Sequence, residues 1–285
     1  MQILESKTIV ITGGSLGIGF TVAKKCVQEG ARVIIAARNE NDLKNAISKL
    51  KVISNLEHLF YKLDVSNIKQ VKDFAYWCEK NNLEINGLVN CAGIYGPIGK
   101  TTDIDLEKFA EAIQINFLGT VYMSSIFAPL IKSETKKKII NYSGGGAASP
   151  FVNYSAYATS KIAIVRFTEN LSLELSAENF DINCIAPGFV ITRLHQQTLE
   201  VGEEKAGSSF FENTKKQIEA GGVPPEKAAD LTVFLLSKKS DGISGKFISA
   251  PWDEWNEKDF QEQLKNDKDF ATLRRIDNKT FFKKS

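Results

Sequence analysis

Tyr157 and Lys161 stand four residues apart in Ser155-Ala-Tyr-Ala-Thr-Ser-Lys161, at the head of a long helical pattern. On a helix this spacing turns both side chains onto one face. Such a pair can pass a proton to or from an alcohol or carbonyl oxygen. A phenol titrates near ~10, and bringing it to ~7 takes roughly 4 kcal/mol. One ammonium at about 4 Å, in an effective dielectric of about 20, supplies energy of that order. Alone, a Tyr–Lys pair more often marks packing, so the chemistry rests on what accompanies it. Far upstream, Thr12-Gly-Gly-Ser-Leu-Gly-Ile-Gly19 closes an apolar strand. Gly13 lets the chain turn off the strand, and Gly17 and Gly19 let backbone and helix come close to a pyrophosphate. The helix that follows aims free amides and a positive dipole end at the phosphates. The glycine spacing is looser than the GxGxxG fingerprint, and no Gly-Lys-Ser/Thr follows, which excludes a triphosphate loop.

These residues need a scaffold, and strand and helix patterns alternate to provide one. Strands are expected at 8–11, 32–36, 58–63, 87–90, 138–141, 181–185 and 245–249. Helices are expected at 18–29, 41–50, 71–80, 105–131, 156–177 and from 225 to 236. Continuous apolar strands alternating with helices predict a parallel sheet covered on both faces. Residues 192–223 break the rhythm with Gly202, Gly207, Gly221, Gly222 and the pair Phe210-Phe211. A segment that long is either functional or a loose surface insertion. The tail 256–285 carries both charge signs with weak periodicity, and reads as helical or disordered.

Composition narrows the class. Lys and Arg total 36 against 34 acids, so neither nucleic acid nor an anionic membrane is expected as a partner. Cys26, Cys78, Cys91 and Cys184 are scattered without a CxxC pair, which predicts free thiols in a reducing cytoplasm and no metal. The first strand pattern begins almost at Met1, leaving no expected signal peptide, and no unbroken apolar run reaches membrane-span length. His58 and His195 are isolated from other metal-ligating residues and read as structural or surface groups. Ser155 reads as a helix cap, since no histidine is placed to activate it. Trp252 and Trp255 could close over a substrate, bury a subunit contact or simply pack.

The second strand ends in Ala36-Ala-Arg-Asn39. A dinucleotide site for NAD usually has an acid there, on the adenosine ribose. Ala37 leaves that place uncharged and Arg38 follows, which suits a 2′-phosphate. The expected cofactor is NADP(H), with NAD(H) possible.

The ordered set of motifs resembles the classical short-chain dehydrogenase/reductase family over about residues 5–250. It comprises Thr12–Gly19, Asp64-Val65, Asn90-Cys-Ala-Gly93, Asn116 in a long helix, Tyr157-Ala-Thr-Ser-Lys161 and Pro187-Gly188. The resemblance implies an α/β fold: a Rossmann-like doubly wound parallel sheet of about seven strands, helices on both faces, in a single domain. That domain would span 1–255, with a charged extension at 256–285 and a substrate lid at about 193–222. It also implies NAD(P)-dependent carbonyl–alcohol interconversion. Gly13, Ser15, Gly17, Ile18 and Gly19 would then bind the cofactor, with Asp64 and Val65 at the adenine. Asn90, Ala92 and Gly93 would line its cleft, and Pro187, Gly188, Val190 and Thr192 would seat the carboxamide and pyrophosphate. Tyr157 would be the general acid/base. Lys161 would hold the nicotinamide ribose and lower the tyrosine pKa, and Asn116 would hold a relay water.

One member departs from the pattern. The family serine that bonds the substrate oxygen usually stands thirteen residues before the tyrosine, where this chain has Gly144. Ser143 is one residue earlier, and the three-glycine turn 144–146 is expected to re-aim it into that role. The displaced serine also motivates an alternative: a catalytically impaired NADP(H)-binding regulatory or scaffold protein. A sugar-nucleotide epimerase or dehydratase is disfavoured by the three-residue gap between Gly13 and Gly17 and by the modest length. The expected partners are a small carbonyl or alcohol substrate and a second copy, in a homodimer or homotetramer formed through the two long helices.

Overall fold

The structure is a computed structural model and describes residues 2–275. It opens with β1 (Thr8–Thr12), α1 (Gly17–Gln28), β2 (Arg32–Ala37) and α2 (Glu40–Lys51). There follow β3 (Leu59–Lys62), α3 (Ile68–Lys80) and β4 (Gly87–Asn90), then α4 (Leu106–Ile113) and α5 (Gly119–Phe127). Next come β5 (Lys137–Tyr142), α6 (Ser155–Glu174), β6 (Phe180–Ala186), α7 (Arg193–Ala206) and α8 (Ser208–Glu219). The described chain ends with α9 (Pro225–Leu236), β7 (Phe247–Ser249) and α10 (Lys258–Asn266).

The strands form one parallel sheet in the order β3-β2-β1-β4-β5-β6-β7. Successive side chains of a strand face opposite ways. Ile9 and Ile11 therefore enter a core with residues of α1, α2, α9 and α10, while Val10 joins Phe74 and Phe127 on the other side. Burial on both faces explains the uninterrupted apolar strands. Strand order reverses between β1 and β4, which opens a crevice beyond the carboxyl ends of the strands.

The expected helix 105–131 is interrupted. Asp105 caps α4, its carboxylate accepting from the amides of Glu107 at 2.9 Å and Lys108 at 3.2 Å. A π-helical turn, Gln114–Leu118, then separates α4 from α5. Thr120 Oγ1 donates to the Asn116 carbonyl at 2.8 Å, a side-chain bond inserted into the helical ladder. The stretch Leu106–Leu130 is long and apolar enough to cross a membrane by length and composition. Here it is a layer of the domain, with α5 packed on α3 and β4, and α4 on α6.

The segment after Thr192 is built from α7 and α8, with a break at Gly202 (φ 79°). The described part of the tail is ordered against the domain: α10 buries Leu264 in the core, and residues 267–274 run back along β7 and α6.

Candidate active site

The glycine loop leaves β1 at the crevice. Gly13 (φ 67°) turns the chain, and a Cβ placed there would lie 2.9 Å from Ala92 Cα. A Cβ on Gly19 would fall on the Gly13 backbone, 2.8 Å from its carbonyl carbon. Only glycine permits this approach of helix to turn. Leu16 stands at the cap position of α1 and offers no side-chain acceptor, so the first-turn amides face the crevice without a side-chain partner. Thr12 Oγ1 accepts from the amides of Cys91 (3.1 Å) and Ala92 (3.3 Å), fixing the 90–93 turn beside the loop. This cradle fits a pyrophosphate.

A cavity of about 190 Å³ adjoins it, lined among others by Ser15, Arg38, Asp42, Asp64, Val65 and Arg193. Ala92 and Gly93 share that wall. Asp64 is held by Ser66, whose Oγ donates to its Oδ1 at 2.6 Å. Arg38 is exposed and makes no hydrogen bond or ion pair among the described residues. Asp42 lies 4.0 Å from Arg193. Asn90 is turned into the sheet, its Nδ2 donating to Ser124 Oγ at 3.0 Å and Asn141 Oδ1 at 2.9 Å. It braces the cleft from behind.

Tyr157 and Lys161 share the buried face of α6 at the crevice. Lys161 Nζ donates to the Tyr142 carbonyl at 3.0 Å and stands 5.4 Å from the Tyr157 ring centre. Burial brings the Lys161 ammonium down to about 8. Burial pushes the Tyr157 phenol upward in the protein without cofactor. Gly93 brings the third member in: a Cβ there would lie 3.2 Å from Asn116 Oδ1 and 3.4 Å from Lys161 Nζ. The Asn116 side chain is committed. Its Oδ1 accepts from Ile94 N at 2.8 Å, while its Nδ2 donates to Ile94 O at 2.8 Å and Ser160 Oγ at 2.9 Å.

Ser143 is not brought to the tyrosine hydroxyl. It is buried between sheet and helix, and its Oγ donates to the Lys161 carbonyl at 3.0 Å. The extended chain alternates faces, so Asn141 and Ser143 both point to α6, whereas Tyr142 points to α9 and bonds Ala228 and Thr232. The residue against the hydroxyl is Gly144, where an added Cβ would overlap Tyr157 Oη and lie 3.1 Å from Cζ. The expectation that the glycine turn re-aims Ser143 is corrected by this geometry. Ser155 is likewise no cap, being the first residue of α6 with its hydroxyl bonded to Thr101 Oγ1 at 2.9 Å.

The tyrosine opens on a cleft of about 670 Å³, whose walls include Ile18, Pro187, Gly188, Val190 and Thr192. Opposite them stand aromatic residues that no local motif marks. Tyr95 meets Tyr157 edge-on at 4.8 Å, and Phe151 meets Phe210 of α8 at 4.6 Å. His195, far from a surface group, is buried with its ring 3.9 Å from that of Phe189, and burial lowers it to about 4. Trp252 is exposed at the rim, while Trp255 packs on Phe234 at 5.6 Å.

A pyrophosphate cradle at a sheet switch point, continuous with a buried tyrosine and lysine, defines a dinucleotide-dependent oxidoreductase. Comparison with known proteins agrees. The short chain dehydrogenase family matches residues 7–201. The uncharacterized oxidoreductase YxbG of Bacillus subtilis is 30% identical over 248 residues, covering 87% of this chain and 90% of that protein. The 3-oxoacyl-[acyl-carrier-protein] reductase FabG of Chlamydia trachomatis is 33% identical over 267 residues, covering 87% and 97%. A short chain dehydrogenase structure from Shigella flexneri, complexed with NADP, shares the fold at a TM-score of 0.75 and 24% identity, over 87% and 98% of the two chains. The chain belongs to the short-chain dehydrogenase/reductase family and is an oxidoreductase that works with a nicotinamide cofactor.

Proposed function

We propose that this protein is an NADPH-preferring carbonyl reductase in which Tyr157 supplies the proton. The observation that carries the reading is the buried Tyr157 side chain in the wall of the aromatic cleft, with Lys161 Nζ 5.4 Å from its ring centre. A phenol carries its proton at neutral pH and can pass it to a substrate oxygen as negative charge develops there. A nicotinamide dinucleotide held by the glycine turn and the 187–192 segment would supply the hydride for the carbonyl carbon. The substrate oxygen takes the Tyr157 proton, and a neutral alcohol forms. Lys161 offers its ammonium to the nicotinamide ribose and toward the tyrosine. Asn116 acts as a positioning residue, tying the 93–94 turn to α6, beside the route by which the proton is replaced.

The Arg38 guanidinium, without a hydrogen bond or ion pair among the described residues, and Ala37 in place of an acid support the NADP preference. Charge-assisted bonds of Arg to phosphate are worth about 1.5–3 kcal/mol. Residues 193–222 act as the substrate lid, since their inward faces carry Leu194, His195, Phe210, Asn213 and Gln217 into the cleft. The free thiols support a cytoplasmic setting. Exposed Ile162 and Leu173 on α6 support a homodimer or homotetramer, which light scattering tests. The test of the mechanism is Tyr157→Phe. It should lower kcat by about 10²–10⁴-fold while cofactor binding, read by fluorescence titration, stays within about threefold. Retention of most turnover would refute it.

A further inference from the structure

The chemistry of the cleft is one-sided. Its aromatic lining comes in two clusters, Tyr95, Phe151 and Phe210 in one and Phe260 and Phe270 in another, with Trp252 exposed beside them. No lysine or arginine is among the described residues that line it. Its one carboxylate, Asp253, is turned back to accept from Ser249 N at 2.7 Å, and burial raises it. An anionic substrate would find no cation to pair with there, and losing hydration without a partner is costly. A neutral apolar substrate finds ring faces and edges.

Two of these rings come from the C-terminal extension, beyond residues 7–201 that match the family. The structure holds this part of the tail firmly. Lys246 Nζ, itself 4% exposed, donates to the carbonyls of Asp267 (2.6 Å) and Phe270 (2.9 Å). Phe247 N, on the sheet edge, donates to Ala271 O at 2.8 Å. Glu169 of α6 accepts from Leu273 N at 3.2 Å and pairs with Arg274 at 2.7 Å. Phe260 of α10 meets Phe270 edge-on at 5.0 Å, so the two rings stand as one wall. Anchors on both sides of Phe270 give it a fixed place, as a specificity surface requires.

We infer that the C-terminal extension builds the far wall of the substrate site, and that the site selects a neutral, bulky apolar carbonyl compound such as an aryl ketone over a small or anionic one. The inference rests on the reductase reading above and deepens it. Burial of an aromatic ring between the two walls is the source of the discrimination.

The test compares acetophenone, propanone and 3-oxobutanoate as substrates of the full-length protein with NADPH, in the wild type, Phe270→Ala and Trp252→Ala. Trp252 is 77% exposed, so its replacement leaves the fold intact and keeps the test valid if Phe270→Ala proves unstable. The expected result is a kcat/KM for acetophenone at least 100-fold above that for 3-oxobutanoate. The ratio of acetophenone to propanone should fall at least tenfold in each variant, mainly through KM, with cofactor affinity unchanged. Preference for 3-oxobutanoate, or an unchanged ratio in both variants, would overturn the inference and leave the reductase reading standing. If NADPH binds but no ketone turns over, calorimetry with acetophenone on the NADPH-loaded protein decides. Binding that weakens at least tenfold in the variants keeps the wall and overturns the reductase reading, whereas no binding overturns the wall.

Discussion

Replacing Ser143 by alanine, and separately Gly144 by serine, distinguishes a hydroxyl that holds the fold from one that holds substrate. Ser143 Oγ is buried and donates to the Lys161 carbonyl at 3.0 Å. That carbonyl sits within α6 and keeps its helical partner, so Ser143→Ala leaves no orphaned acceptor. The loss is one neutral hydrogen bond, about 1 kcal/mol, or a fall in Tm of roughly 2–4 °C for a large domain. Turnover should stay within about threefold. Gly144→Ser would place a Cβ on the Tyr157 hydroxyl and 3.1 Å from its Cζ, so the phenol must shift by about 1 Å. A displacement of that size costs on the order of 10²-fold in rate. Thermal melts followed by circular dichroism, with initial rates of NADPH oxidation, read both effects. A drop of about 10²–10³-fold in kcat for Ser143→Ala at unchanged stability is the signature of a lost oxyanion donor. That result, or a gain in rate for Gly144→Ser, would refute the geometry.

Arg38→Ala should erode the ratio of kcat/KM for NADPH over NADH by roughly 10–100-fold, and steady-state kinetics with both cofactors check it. Lys161 is charged below about pH 8 in the free protein and loses its proton as the pH rises. The kcat/KM for the cofactor, which reports ionisations of the free protein, should therefore fall above about pH 8, and a flat profile to about pH 10 would contradict this. His195 is lowered from 6.5 to about 4, so its stability contribution is full above 6.5 and is lost as the pH falls toward 4. That window carries up to about 3 kcal/mol. Urea unfolding at pH 7 and 4.5 should show a smaller acid loss in His195→Gln than in the wild type. An equal loss would assign acid sensitivity elsewhere.

Much of this protein was legible in its chain because the relevant signals are local. Apolar runs such as residues 8–11 are uninterrupted since both sheet faces are buried, and each of the seven expected strands appears within a residue or two. The glycines of the first turn are dictated by backbone approach, and Tyr157 and Lys161 share a face by helical spacing alone.

Tertiary structure decided what depends on contacts between distant segments. The side of the chain that Ser143 faces was set by its parity with Asn141 on β5, and its partner is eighteen residues away. The buried Lys161 ammonium found a partner in the Tyr142 carbonyl, nineteen residues away in the chain. The helix 105–131 carried no visible break, since its π turn accompanies Asn116 bonding to Ile94 and Ser160. The polar segment after Thr192 proved to be two helices, and the described tail proved to be packed along β7 and α6, because each gains its partners only when the sheet is assembled. Sequence placed Tyr157 beside Lys161 and shaped the glycine turn through short-range spacing, and the ordered motif set carried the resemblance to the family. Only the assembled fold decided where Lys161 and Ser143 are bonded and which rings line the cleft, since those rest on burial and on long-range packing.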